Sequence, residues 1–148
     1  MRNACTNDDR RGPISPGTVR AGQCLLIILC GLALRRYGLG TGLPAAIVKY
    51  GGSILWGTMV FFLVVIAAPR LSWRTAGLIA ASIAVCIELS RLVHTPWLDE
   101  FRMTIAGALL LGRIFSARNL LAYGAGIGLG MILDRLGITA FTSAHRTP

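Results

Sequence analysis

Charge is scarce in this chain. Only 14% of its 148 residues are Asp, Glu, Lys or Arg, against about 25% in a typical soluble domain. Lysine occurs once, at Lys49. Mean hydropathy is +0.65, which excludes an ordinary water-soluble domain and points to membrane spans. Paired cysteines are also missing. Cys5, Cys24, Cys30 and Cys86 form no C-x-x-C pair, and three of them fall in apolar runs. No cluster of Cys and His stands at zinc-ligand spacing, so no metal or cofactor is expected. There is no serine–histidine–acid arrangement and no internal repeat. A cleavable leader is not expected, because the first apolar run follows a polar stretch and ends at Arg35-Arg36 without a small-residue cleavage site.

What the chain does have is long apolar runs. The net charge of +9 would suggest nucleic acid in a soluble protein. Here the cations flank the runs, as topology signals and contacts to anionic head groups do, so nucleic acid is not an expected partner. Residues 1–18 are polar and predict a disordered tail. Residues 20–36 predict a first span, and a glycine-rich loop follows over 37–43. Pro44 suits the first turn of a second span running from about 45 to 68. Ser72 is a plausible N-cap for a third span over 73–94, which Pro96 ends. The apolar segment 103–111 is too short to span and predicts one re-entrant or interfacial helix. Residues 117–136 predict the last span, with a weakly structured tail over 137–148. The expected fold is therefore all-α: a four-span bundle occupying 19–136, with one short extra helix before the last span.

Orientation rests on cation placement. One side would carry Arg2, Arg10, Arg11, Arg20, Arg70, Arg74, Arg135 and Arg146. The other would carry Arg35, Arg36, Lys49, Arg91, Arg102, Arg113 and Arg118. The numbers are nearly equal, and the four N-terminal arginines favour a cytoplasmic N-terminus in a plasma (inner) membrane.

Glu88 is the most informative residue. It lies inside the apolar third span, where an acid is costly. Arg91 follows at i, i+3 on the same face, and His94 three residues later. Glu88 is six residues before the expected helix end, about 9 Å deep at 1.5 Å per residue. Antiparallel spans place Lys49 at similar depth, and bring Asn119 and Tyr123 in from the same side. Tyr50, Trp97, Asp99 and Arg102 complete a candidate polar pocket. Two readings stand: a structural ion pair, or a pocket for an anionic head group. A proton relay is a third.

Gly124, Gly126, Gly128 and Gly130 do not have G-x-G-x-x-G spacing and no strand precedes them. They form two overlapping G-x-x-x-G patterns, which let helices approach closely in lipid. Packing inside the bundle is the simpler reading, and a homo-oligomer or a membrane-protein partner the other.

Several segments together carry a resemblance. They are Gly42-Leu43-Pro44 with Lys49-Tyr50-Gly51-Gly52-Ser53-Ile54-Leu55-Trp56, the stretch from Ile87 to Asp99, Thr104-Ile105-Ala106-Gly107-Ala108, and Leu120-Leu121-Ala122-Tyr123. Over roughly 20–136 the chain resembles an uncharacterised family of small bacterial polytopic membrane proteins, labelled YjgA-like or "ribosomal maturation". It also resembles, more distantly, VanZ-like proteins of envelope lipids. Glu88 matches their acid and Gly126 and Gly130 their glycines. Arg91, Asn119 and Tyr123 stand where that pattern has Gln, Asp and Asn. The resemblance implies a lipid-facing polar pocket around Glu88. The expectation is a non-enzymatic membrane protein binding an anionic lipid or envelope lipid precursor. An assembly subunit and a small proton-coupled transporter are the alternatives.

Overall fold

The computed structural model describes residues 15–112 and 115–144, and the side chains among these up to 137. The described residues form six helices: α1 (Pro16–Tyr37), α2 (Ala45–Ala67), α3 (Trp73–Ser90), α4 (Pro96–Met103), α5 (Ile105–Leu110) and α6 (Ala117–Ala144). Four of them, α1, α2, α3 and α6, are long and apolar enough to cross a membrane. The architecture is that of a multi-pass, all-helical membrane protein, as the apolar runs predict.

The connections make α2 and α6 run parallel, with α1 and α3 antiparallel to both. The α2–α6 pair is the spine of the bundle, flanked by α1 and α3. Glycine makes the spine possible. A Cβ on Gly57 would stand 2.6 Å from the Tyr123 carbonyl oxygen, and one on Gly126 would collide with the Ile54 carbonyl. Between them the buried Thr58 hydroxyl donates to the Gly126 carbonyl at 2.8 Å, an interhelical bond of the kind that substitutes for hydrophobic drive in lipid. Below this seam Phe61, Phe62, Val65, Ala76, Ala80 and Ile127 fill the core.

Helix boundaries depart from the expected ones at four places. First, α1 begins at Pro16, not residue 20. Ser15 caps it by accepting from the Thr18 N–H at 3.3 Å, so residues 16–18 are helical where a disordered tail was expected. The rest of that tail, 1–14, lies outside the described residues, as do Arg113 and 145–148. Second, α3 stops at Ser90 instead of 94. The chain leaves the helix through i+3 turns, the Leu92 N–H donating to the Leu89 carbonyl and the Val93 N–H to the Ser90 carbonyl, both at 3.0 Å. Arg102, twelve residues past Ser90, donates to the Ser90 and Val93 carbonyls as well. Third, the expected single short helix is two. Thr104 breaks the run with extended backbone, φ −71° and ψ 159°, and its hydroxyl accepts from the Gly107 N–H at 3.0 Å to start α5. Fourth, α6 continues to Ala144, past the expected end at 136. Gly137 does not end the helix; it makes room for Gln23 of α1, whose amide nitrogen would be 2.6 Å from a Cβ there.

The α4–α5 connection is unlike the rest. Neither helix packs its backbone closely against a spanning helix. Trp97, Phe101, Met103 and Ile105 are exposed and Arg102 is buried. An apolar outer face with a polar inner face is what an interfacial helix presents.

Candidate functional site

Glu88 is fully buried in the last turn of α3, and Arg91 is only 8% exposed. Their i, i+3 spacing brings Nη1 of Arg91 to 2.6 Å from Oε2 of Glu88. Across the gap to α6, Oε1 of Glu88 accepts from the Ser116 backbone N–H at 2.6 Å, and more weakly from the Asn119 amide at 3.4 Å. A helix begins with unsatisfied N–H groups, and Glu88 satisfies one just before α6, adding a negative charge where the helix dipole favours it.

Arg91 is equally engaged. Its Nη2 donates to the Tyr123 hydroxyl at 2.9 Å and its Nε to the Leu111 carbonyl at 2.5 Å. The guanidinium thus joins the end of α3, the segment after α5 and the second turn of α6. Gly112 makes this possible: its φ is +69°, and a Cβ there would sit 2.5 Å from Nη2 of Arg91. The Trp56 ring of α2 leans on Tyr123 with centroids 4.8 Å apart. Trp56 Nε1 and Asn119 Oδ1 are buried polar atoms without a hydrogen-bond partner among the described residues.

A second cluster holds α4. Arg102, 3% exposed, donates from Nη1 to the Val93 carbonyl at 2.9 Å and to Asp99 at 3.0 Å, and from Nη2 to the Ser90 carbonyl. His94 Nδ1 lies 3.4 Å from the other oxygen of Asp99; the His94 side chain is exposed and that of Asp99 half-buried. An open cleft of about 560 Å³ borders His94, Asp99, Glu100 and Arg102.

The ten residues expected to form one pocket therefore separate into three groups. Glu88, Arg91, Asn119 and Tyr123 meet in the buried cluster. His94, Asp99 and Arg102 meet beside it. Lys49 and Tyr50 stand apart on the rim, with the Lys49 ammonium 5.5 Å from its neighbour's ring, and Trp97 points outward. Lys49 is exposed and forms no ion pair with Glu88 among the described residues. The stripe of α2 that meets α6 passes through Ile54, Gly57, Thr58 and Phe61, and Lys49 lies off that stripe. The glycine patterns also divide. Gly126 and Gly130 seat Ile54 and Phe61 of α2, whereas Gly124 and Gly128 have nothing within 4 Å of an added Cβ.

Other polar contacts were not foreseen. At the opposite end, Arg20 of α1 grips Asp134 of α6 with two bonds of 2.7 and 3.0 Å. Beside them Gln23 donates to the Leu133 carbonyl at 3.1 Å. An acid late in an apolar helix and a base early in an antiparallel one carry the same depth signal that located Asn119. The Leu111 carbonyl and the Ser116 N–H are backbone partners, which residue type does not reveal.

The buried cluster contains no nucleophile beside a base, and no three His, Cys, Asp or Glu side chains gather as a metal site among the described residues. Its contacts pair a buried carboxylate with a buried guanidinium and join the end of α3 to the segment after α5 and to the start of α6.

No solved structure matches the chain. A family model described as "Protein of unknown function (DUF2809)" matches residues 42–127, well over half of the chain. The match agrees with the expected uncharacterised family and carries neither a YjgA-like nor a VanZ-like name. It runs from the loop before α2 into α6 and takes in the whole Glu88 cluster, while Arg20 and Asp134 lie outside it. The chain belongs to the DUF2809 family.

Proposed function

We propose that this membrane protein binds the anionic head group of a membrane lipid or lipid precursor at the end of the bundle that carries α4 and α5. One observation carries the reading: among the described residues, the exposed cations of α1 and α2 at this rim form no ion pair with a carboxylate. No acid occurs between Asp9 and Glu88, so α1 and α2 contain none. Glu88 is taken by Arg91, and Asp99 by Arg102 and His94. The remaining acid of this end, Glu100, is exposed on α4 beside the His94 cleft and forms no ion pair with the cations of α1 and α2 among the described residues. Arg35, Arg36 and Lys49 are left facing outward at head-group height. Arg36 lies 5.4 Å from the Tyr37 ring and Lys49 5.5 Å from the Tyr50 ring, a mixture of cations and aromatics suited to the bilayer interface. Each cation near an anionic leaflet contributes about 1 kcal/mol of attraction. The likeness of the Glu88 segment to VanZ-like proteins supports the same reading.

Arg91 and Arg102 enter this function indirectly. Their donors are directed to backbone carbonyls and to Glu88, Asp99 and Tyr123, so they shape the face and do not meet the lipid. Native mass spectrometry after extraction from equal mixtures of phosphatidylglycerol and phosphatidylcholine tests the proposal. Wild type should retain the anionic lipid preferentially, and Lys49→Gln should reduce that preference severalfold. Equal retention of the two lipids by wild type would overturn it.

A further inference from the structure

Between the last turn of α1 and α5 lies an open groove of about 330 Å³, at the lower end of the roughly 300–1,000 Å³ usual for ligand sites. Leu32 of α1 and Ile105, Ala108 and Leu109 of α5 form its walls, and Arg35 and Arg36 stand at its mouth. The arrangement follows from helix geometry. Arg35 and Arg36 are three and four residues past Leu32, so all three share a face, with the arginines one turn nearer the membrane surface. The backbones of the two helices do not approach one another closely. The gap is thus a real separation between apolar walls, and its lining stays exposed: Leu32 by 45% and Ile105 by 83%.

Apolar walls facing a gap lose dispersion contacts unless something fills it. At bilayer depth the filler must be apolar. At the mouth an anion suits it, because two guanidiniums stand there and neither forms an ion pair with a carboxylate among the described residues. Asp99 and Glu100 of α4 line the neighbouring cleft instead, and guanidinium forks suit phosphate oxygens. We infer that one anionic phospholipid of the surrounding bilayer occupies this groove, with an acyl chain between Leu32 and α5 and its phosphodiester held by Arg35 and Arg36. The inference rests on the rim reading above and goes beyond it: it assigns a single, stoichiometric lipid where that reading needs only a charged surface. It also gives the α4–α5 connection a purpose. Arg91 and Arg102 hold α5 at a distance from α1 that admits a chain.

The test uses the full-length protein in nanodiscs and detergent, with phosphatidylglycerol and phosphatidylcholine of identical chains as probes. Native mass spectrometry should show one phosphatidylglycerol per wild-type chain surviving collisional activation that strips the others. The Arg35→Gln/Arg36→Gln variant should lose it about tenfold. Ala108→Trp should lose it comparably with both arginines intact, because the indole fills the groove. Ile105→Trp repeats this from a position too exposed to threaten the fold. Lys49→Gln should lower the general anionic preference and leave the single lipid in place. Retention of that lipid at wild-type level in both tryptophan variants would overturn the groove while leaving the rim reading intact. Loss of all anionic preference in wild type would remove both. A dimer peak abolished by the tryptophan variants would assign the groove to a second copy of the chain and overturn the lipid.

Discussion

Glu88 pairs with Arg91 three residues on, at the C-cap of the same helix, whereas Asp134 pairs with Arg20 at the other end of the chain and the other end of the bundle. Both acids are buried, Glu88 completely and Asp134 to within 5%, yet the pairs hold different things together. The Glu88–Arg91 contact lies within one helical turn and by itself joins nothing. Its architectural effect comes from the next ring of partners: the Ser116 N–H, the Tyr123 hydroxyl and the Leu111 carbonyl. The Arg20–Asp134 contact is a direct staple between α1 and α6, with two parallel bonds and a 16% exposed arginine side chain that can swing toward water. A buried pair is not by itself a strong source of stability, because desolvation offsets the attraction. What distinguishes the two ends is how many other groups would be orphaned if the pair were removed.

The largest effect is expected from Glu88→Ala. It leaves Arg91 charged and nearly inaccessible to water and removes the partner of the Ser116 N–H. The cost should be about 3–5 kcal/mol, the range for breaking a buried pair from one side, read as loss of the folded fraction in detergent or SDS titration. Asp134→Ala should cost less, about 1.5–3 kcal/mol, because Arg20 can rehydrate. If the two variants were equally destabilised, the contrast between a network and a staple would fail.

How far the sequence discloses this contrast depends on whether a contact runs along a helix or between helices. The four spans are legible because each is a long apolar run, and the Glu88–Arg91 pairing because three residues bring side chains onto one face. Asn119 and Tyr123 were reachable by depth, since alternating spans fix which ends lie together. Depth says nothing of rotation, and Lys49 shows the limit: it lies off the stripe of α2 that meets α6 and is exposed. The Arg20–Asp134 staple required knowing that α1 touches α6, and packing order among four spans is not written in hydropathy. The end of α3 lies four residues before the expected one because the apolar run continues through turns whose carbonyls Arg102, twelve residues past Ser90, also holds, and neither leaves a local sequence signal.

Replacing both members of each pair sharpens the comparison. Arg20 and Asp134 have each other as their hydrogen-bonding partners among the described residues. An Arg20→Leu/Asp134→Leu variant should therefore recover to within about 1 kcal/mol of wild type, as buried pairs exchanged for apolar residues commonly do. The Glu88→Leu/Arg91→Leu variant should not recover. It strands the Ser116 N–H, the Leu111 carbonyl and the Tyr123 hydroxyl, and each buried orphan costs about 1–3 kcal/mol. The same unfolding titration distinguishes the cases. Recovery of the Glu88→Leu/Arg91→Leu variant to wild-type stability would mean that the surrounding polar groups find other partners and the network reading is wrong.

The smallest global effect, and the most local one, is expected from Arg102→Lys. Arg102 spans three acceptors, the Ser90 and Val93 carbonyls and Asp99, with a fork that an ammonium cannot reproduce. Because α4 and α5 do not pack their backbones closely on the spans, losing the fork should free the connection without loosening the spine. Bundle stability should change by less than about 1 kcal/mol, the scale of one net hydrogen bond. Amide hydrogen exchange should nevertheless rise across 96–110 and stay unchanged in α2 and α6. That pattern ties the Glu88 end to the placement of a connection, and the Asp134 end to the placement of a span. A uniform rise in exchange through all the helices would instead make Arg102 part of the general stability of the bundle, and the two ends would no longer differ in kind.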